Sequence, residues 1–400
     1  MNNHPTRNFI YPNPRMNPPM KPAERLFTAL SNKKPDRVPF VPKMWFDLAA
    51  SLTGVPLTDI ITNPGVGLQA ILDAGLALGF DAVRTFTFFP PRRVREENGI
   101  VFEVDSNGRD IGTLDMLGGL ATQLFDPGDF DIEDPFKMLH FRLWACEKPL
   151  VKTIDDARRI CVPKKKDYVA GGWDTCIKKL IERAGDKIAL IGDADNPTLS
   201  ACVALRGPSN ALTDMLDDPG LADAIMDKCT EISIERAKFN IDLGLTNIRL
   251  NDSTANMNVI SPALWRRFIK PRFTRFCSEI HAYHKDVRIY CHICGNVHPV
   301  LEDLIETGID CIGLLDPLGG FTVAQIREKV GDRVALIGGL NTLSFAYGTP
   351  GQVMEEARVC IEDGAKNGGY ILSSGCVIPR SAKRENLIAC VEAVKKHGVY

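Results

Sequence analysis

The segment Val287-Arg-Ile-Tyr-Cys-His-Ile-Cys-Gly295 sets an imidazole and a thiol two residues apart, in an apolar run that ends at a glycine. In an extended chain, side chains at i and i+2 leave the same face. His292 and Cys294 therefore point to one place, while Cys291 and Ile293 point away from it. An imidazole and a thiolate together suit zinc. A His-x-Cys pair by itself is a weak signal, because such pairs also arise by chance. A second segment, Tyr370-Ile-Leu-Ser-Ser-Gly-Cys376, is another strand-like run that ends in glycine and then cysteine. With Cys376 as a third ligand, the set has the pattern of a catalytic zinc, in which three protein ligands leave one position open. The plainer reading of Cys376 is a small residue in a tight turn.

Acids gather at the ends of similar runs. Asp193 and Asp195 follow one, Asn251 and Asp252 close another, and Asp316 ends a third. Asp316 is the candidate for a fourth metal ligand displaced by substrate, or for an acceptor of the His292 ring N–H. Asp252 joins His292, Cys294, Cys376 and Asp316 in the candidate catalytic set. Phe86, Phe88, Phe89, Asp193 and Asn251 form the candidate substrate-contacting set, with the phenylalanines as an apolar wall. The plainer reading of each acid is a helix cap, and of each phenylalanine simple packing. The Gly338-Gly339 and Gly319-Gly320 pairs lack the lysine and hydroxyl of a phosphate loop, so nucleotide binding has no support.

These residues need elements to converge them. Short β-branched or apolar runs at 37–41, 82–86, 188–193, 247–251, 287–292, 311–315, 334–338 and 370–374 alternate with amphipathic stretches such as 262–284, 299–306, 322–329, 351–366 and 382–396. A helical stretch at 22–30 precedes the first run. Strand–helix alternation predicts a parallel sheet, and eight such units predict closure into a (β/α)8 barrel, whose active sites lie at the C-terminal strand ends. His292, Cys294 and Cys376 fall there, after the fifth and eighth runs. Residues 89–149 break the rhythm after the second run. Their Asn98-Gly99 and Asn107-Gly108 turns, with a hairpin over 101–104 and 111–114, predict an inserted β element. The expected organisation is a polar arm at 1–21 and a single barrel domain over 22–400.

The bulk numbers exclude more than they assign. A net charge of -2 gives no electrostatic reason to expect nucleic acid or a membrane surface as partner. No apolar run is long enough to span a bilayer, and the Asn- and Pro-rich residues 1–20 lack the apolar core of a secretory signal; the expected location is the cytoplasm. The 12 cysteines follow no framework spacing. Several, including Cys229, Cys277, Cys360 and Cys390, sit in apolar helical patterns and read as small buried hydrophobes.

His292-Ile-Cys-Gly-Asn296, Gly308-Ile-Asp-Cys-Ile-Gly-Leu-Leu-Asp316, Leu336-Ile-Gly-Gly339 and Ser374-Gly-Cys-Val-Ile-Pro379 resemble the uroporphyrinogen decarboxylase-like superfamily, and within it the zinc-containing corrinoid methyltransferase branch. The resemblance is strongest from about residue 244 onward and largely absent over the insertion. It implies a uroporphyrinogen decarboxylase-like barrel with zinc on His292, Cys294 and Cys376 and an acid at Asp316. It also implies a corrinoid (cobalamin) on a separate partner protein, since no Asp-x-His-x-x-Gly motif is present in this chain. The implied activity is methyl transfer from a small donor, such as a methoxylated aromatic (O-demethylation), to Co(I). Alternatives are methylcobalamin-to-thiol transfer of the coenzyme M type, decarboxylation of a tetrapyrrole, and a non-enzymatic zinc- or corrinoid-binding module. True decarboxylases carry an Arg-Gln-Ala-Gly-Arg motif after the first strand, where this chain reads Pro42-Lys-Met-Trp-Phe-Asp-Leu-Ala49. A homodimer is an allowed assembly.

Overall fold

The computed structural model describes residues 19–85, 91–114, 122–139 and 148–400. Its main sheet has seven parallel strands: β1 (Ala82–Thr85), β6 (Ala189–Asp195), β7 (Asn247–Asn251), β8 (Arg288–His292), β9 (Cys311–Leu315), β10 (Ala335–Leu340) and β11 (Tyr370–Ser374). They neighbour one another in chain order, as helical crossovers between parallel strands require. Alternation sorts their side chains. Ile289 and Cys291 join the layer between strands and helices, whereas Tyr290 joins a small interior cluster with Ala82, Ala189, Ile191, Cys311 and Ile337. Leu26, Ala29 and Leu30 of helix Pro22–Leu30 belong to that interior cluster and plug the N-terminal end of the barrel.

The expected first strand at 37–41 forms no ladder of its own, only isolated bridges such as Phe40 to Leu372. It nevertheless fills the eighth place. Val41 N–H donates to Leu372 O at 2.9 Å and Leu372 N–H to Pro39 O at 3.0 Å, while on the other side Asp81 N–H donates to Phe40 O at 3.0 Å. Pro39 and Pro42 lack the N–H groups a regular ladder needs, which is why closure is achieved by an irregular extended segment. The barrel is the expected (β/α)8 architecture.

Within the insertion the hairpin is present and is part of something larger. Strands β2 (Arg93–Glu97), β3 (Ile100–Val104), β4 (Asp110–Leu114) and β5 (Thr122–Leu124) form a four-stranded antiparallel sheet. Asn98 and Gly99 both have positive φ, 52° and 77°, the conformation of the tight turn whose twist matches a hairpin. Phe86, Phe88 and Phe89 lie outside the described residues.

The expected helix at 262–284 is continuous, but Trp265–Ile269 is π-helical. Pro271, two residues on, cannot donate to the carbonyl four residues earlier, which accounts for the widened turn. The cysteines assigned to packing are buried free thiols: Cys229, Cys277, Cys360 and Cys390. Among the described residues no helix is long and apolar enough to cross a membrane.

Candidate metal centre

His292 is the last residue of β8, paired in register with Asn251 of β7 and Gly313 of β9. The chain then turns at Gly295, whose φ of 80° favours glycine. Cys376 follows β11 through Gly375. A Cβ on Gly375 would lie 2.7 Å from the Asp316 backbone, so only glycine allows the β11 end to approach the β9 end and bring Cys376 inward. The result is convergence: His292 Nε2 lies 2.7 Å from Cys294 Sγ, and Cys294 Sγ lies 3.1 Å from Cys376 Sγ. All three donor atoms lie within 4.8 Å of one another, close enough to share one ion with bonds of about 2.0–2.3 Å. His292 is fully buried; the two thiols are half-buried and form the open side.

The protonation states suit a metal, whose ligands must be deprotonated. Burial, reinforced by the neighbouring Lys43 cation, holds the His292 imidazole well below its usual range, hence neutral. The two thiols share a hydrogen bond. It pulls Cys376 down to about 6 against the opposing effect of burial, with Lys43 helping. The same bond, with burial, pushes Cys294 upward. Ser253 Oγ lies 3.5 Å from Cys294 Sγ and donates to Asn251 Oδ1 at 3.3 Å. Asn251 therefore reaches the centre through Ser253, and its amide also donates to Asn196 Oδ1.

The acids do not join the trio. Asp316 sits against Gly375, but its Oδ1 caps the short turn after β9, accepting from Leu318 N–H at 3.0 Å. Burial pushes its carboxyl upward. Asp193 is occupied by Arg249 Nη1 at 2.5 Å. Asp252, expected among the catalytic groups, accepts from Thr198 N–H at 3.1 Å, from the Thr198 hydroxyl, and from Ser200 N–H at 2.8 Å. It ties the start of helix Leu199–Arg206 to the end of β7. Asp252→Ala is therefore expected to lower stability by about 2–3 kcal/mol, since it orphans buried donors, and to leave metal content unchanged. Urea unfolding with metal analysis checks this; loss of metal at unchanged stability would return Asp252 to the metal centre.

Sequence reasoning passed over Lys43, Ser253, Tyr290 and Arg249 as site residues. Lys43 Nζ lies 3.1 Å from His292 Nε2 and 3.3 Å from Nδ1. Tyr290 and Arg249 were accessible through period two: each stands two residues before an inward-facing strand end. Lys43 carried no such signal, because it follows Pro39 and Pro42 in a stretch that lacks strand periodicity.

Comparison with known proteins gives the following. A model of the family described as uroporphyrinogen decarboxylase (URO-D) matches residues 145–397. The methylcobamide:CoM methyltransferase MtaA of Methanosarcina barkeri is 25% identical over 242 residues, covering 58% of this chain and 68% of the relative. A uroporphyrinogen decarboxylase of Coxiella burnetii is 24% identical, covering 62% of this chain and 69% of the relative. The methylated-thiol–coenzyme M methyltransferase of Methanosarcina mazei is 28% identical, but the match spans only 52% of its length. Among solved structures, a methyltransferase from Methanosarcina mazei superposes with a TM-score of 0.70 at 20% identity, over 94% of this chain and 98% of that one.

Proposed function

The chain belongs to the uroporphyrinogen decarboxylase family, and on that premise we propose that it is a zinc-dependent methyltransferase that exchanges a methyl group between a small substrate and the cobalt of a corrinoid protein. Relatives named as methylcobamide:CoM and methylated-thiol–coenzyme M methyltransferases support the corrinoid-linked transfer. The observation that carries the metal reading is the convergence of His292, Cys294 and Cys376 within 4.8 Å at the C-terminal strand ends. Relatives named as decarboxylases match equally widely, but decarboxylation gives no reason for such a donor set.

His292, Cys294 and Cys376 would hold the zinc, which supplies Lewis-acid polarisation of the substrate's oxygen or sulfur. The corrinoid partner supplies the cobalt that carries the methyl group. This chain's own residues do the remainder. Burial keeps His292 neutral and available as a ligand. The Cys294–Cys376 hydrogen bond lowers the Cys376 thiol toward the deprotonated form that a metal ligand needs. Asn251 and Ser253 orient Cys294 from the β7 end. Asp316 caps the turn after β9, beside Gly375, which brings Cys376 inward.

The direction we favour is demethylation: His292, Cys294 and Cys376 would hold a zinc that would polarise the oxygen of a small methyl ether, and the corrinoid partner would supply the cobalt that accepts the methyl group. The relatives' names favour a second reading, methyl transfer from cobalt to a small thiol. Mixing the protein with its corrinoid partner as Co(I) and following the cobalt spectrum separates them. Methylation of cobalt by methoxylated aromatics is the expected result. No methylation, together with demethylation of methyl-cobalt by a thiol such as coenzyme M, would reverse the direction.

A further inference from the structure

Asn196 follows the C-terminal end of β6 and is 6% exposed. The backbone that leads to it is distorted in two ways. The β6–β7 register skips a residue between Asp193 and Asp195, and Asp195 takes a φ of 62°, a left-handed conformation that a residue other than glycine adopts at a cost. Bulges of this kind re-aim side chains beside active sites. The distortion is held from both sides. Asp195 N–H donates to Asp193 Oδ1 at 3.2 Å, and Arg236 Nη1 donates to Asp195 Oδ2 at 2.6 Å. Beyond Asn196, Thr230 Oγ1 donates to Pro197 O at 2.9 Å and Thr198 N–H donates to Asp252 Oδ2 at 3.1 Å.

This fixed side chain ends a line of hydrogen bonds that starts at the metal centre. Ser253 Oγ, 3.5 Å from Cys294 Sγ, donates to Asn251 Oδ1 at 3.3 Å. Asn251 Nδ2 in turn donates to Asn196 Oδ1. Asn196 Nδ2 then donates to nothing among the described residues. Packing does not seal it off, as it seals the unpartnered amide oxygens of Asn240 and Asn386. Neighbouring amide nitrogens are spent on carbonyls: Asn240 Nδ2 donates to Asp193 O at 3.2 Å and Asn256 Nδ2 to Ser253 O at 2.9 Å. A donor on a buried side chain, held in place and left open, calls for an acceptor from outside the chain.

We propose that Asn196 determines substrate specificity by donating from Nδ2 to an uncharged carbonyl-type oxygen of the substrate. The amide carries no charge, and the acids that flank it in sequence, Asp193 and Asp195, disfavour an anionic group there. Strands β6 and β8 stand two places apart in the sheet, about 10 Å at ordinary strand spacing. The oxygen therefore sits at the end of the substrate remote from the atom on the metal, as across a ring that bears its two groups in para positions. The proposal rests on the metal reading of the trio, which anchors the near end.

Calorimetric titration of the zinc-loaded full chain tests this without turnover. The probes are 4-acetylbenzenethiol and 4-isopropylbenzenethiol, whose thiols anchor on zinc whichever way the methyl group moves, and which differ by a carbonyl oxygen in place of a methyl group. Asn196→Asp keeps an oxygen to accept from Asn251 and replaces only the free donor. The preference of wild type for the acetyl probe is expected to exceed that of Asn196→Asp about tenfold, the usual worth of one such bond in a built site. Zinc content and circular dichroism should match wild type; where Asn196→Asp does not fold, Asn196→Ala takes its place with the same expected loss. Wild type that takes up no zinc, or binds neither thiol when loaded, overturns the open-metal-site reading and this proposal together. Binding of both thiols with a preference that the variant leaves unchanged overturns the role of Asn196 alone. Loss of zinc from a folded variant also overturns it, and would make Asn196 a support of the metal ligands.

Discussion

Replacing Cys376 with serine, or His292 with alanine, is expected to reduce bound zinc from one per chain to well below that and to lower methyl transfer by at least about 10³-fold. The donor set has three members, and each is a substantial part of the affinity of a site that must leave one position open. The fold should survive. The interior cluster and the layer of helices around the strands hold the barrel without any of the three side chains, so circular dichroism and the thermal midpoint are expected to stay near wild type. Metal analysis and a melting curve on the same sample decide the matter. Full zinc retention in both variants would remove the trio from the mechanism, and collapse of helix content would make the metal structural.

Asp81→Ala is expected to produce the largest loss of stability, about 3–5 kcal/mol, because it breaks a buried ion cluster from one side. Asp81 Oδ1 accepts from Arg25 at 2.7 Å and from Arg37 at 2.9 Å, and Oδ2 accepts from Arg37 and from Phe40 N–H, both at 2.8 Å. Arg25 and Asp81 are 5% and 1% exposed. Asp36 remains on Arg25, but the Arg37 guanidinium would lose its carboxylate and keep Val38 O, and the Phe40 amide would lose its partner. The cluster also locks the irregular segment that fills the eighth barrel place, so the loss should reach the site through Lys43. Equilibrium unfolding in urea gives the value. A change under about 1 kcal/mol would mean that closure depends on apolar packing and not on this cluster, as at an exposed ion pair.

The barrel could be read from sequence because its information is local. Period-two runs such as 287–292 separate an outward Ile289 and Cys291 from an inward Tyr290 and His292, and glycines mark the strand ends. The same locality made the His292–Cys294 pair legible. The insertion's hairpin over 101–104 and 111–114 was legible through Asn107-Gly108, although its assembly into a four-stranded sheet was not.

Other facts had no local signature. Cys376 stands 82 residues from Cys294, yet their sulfurs lie 3.1 Å apart, because parallel strands closed into a barrel bring the same end of every strand to one rim. Asp252 looked like a catalytic acid. The fold made it a cap, since the buried Thr198 and Ser200 N–H groups cannot go unpaired in a low-dielectric interior. Lys43 was invisible because a lone lysine after Pro42 shows no pattern; only closure of the eighth barrel place lays its side chain on the His292 ring. By itself, then, the chain's local periodicity determined which side chains leave a strand together. Which of them meet across strands was decided by packing, because polar partners are selected by desolvation and not by position along the chain.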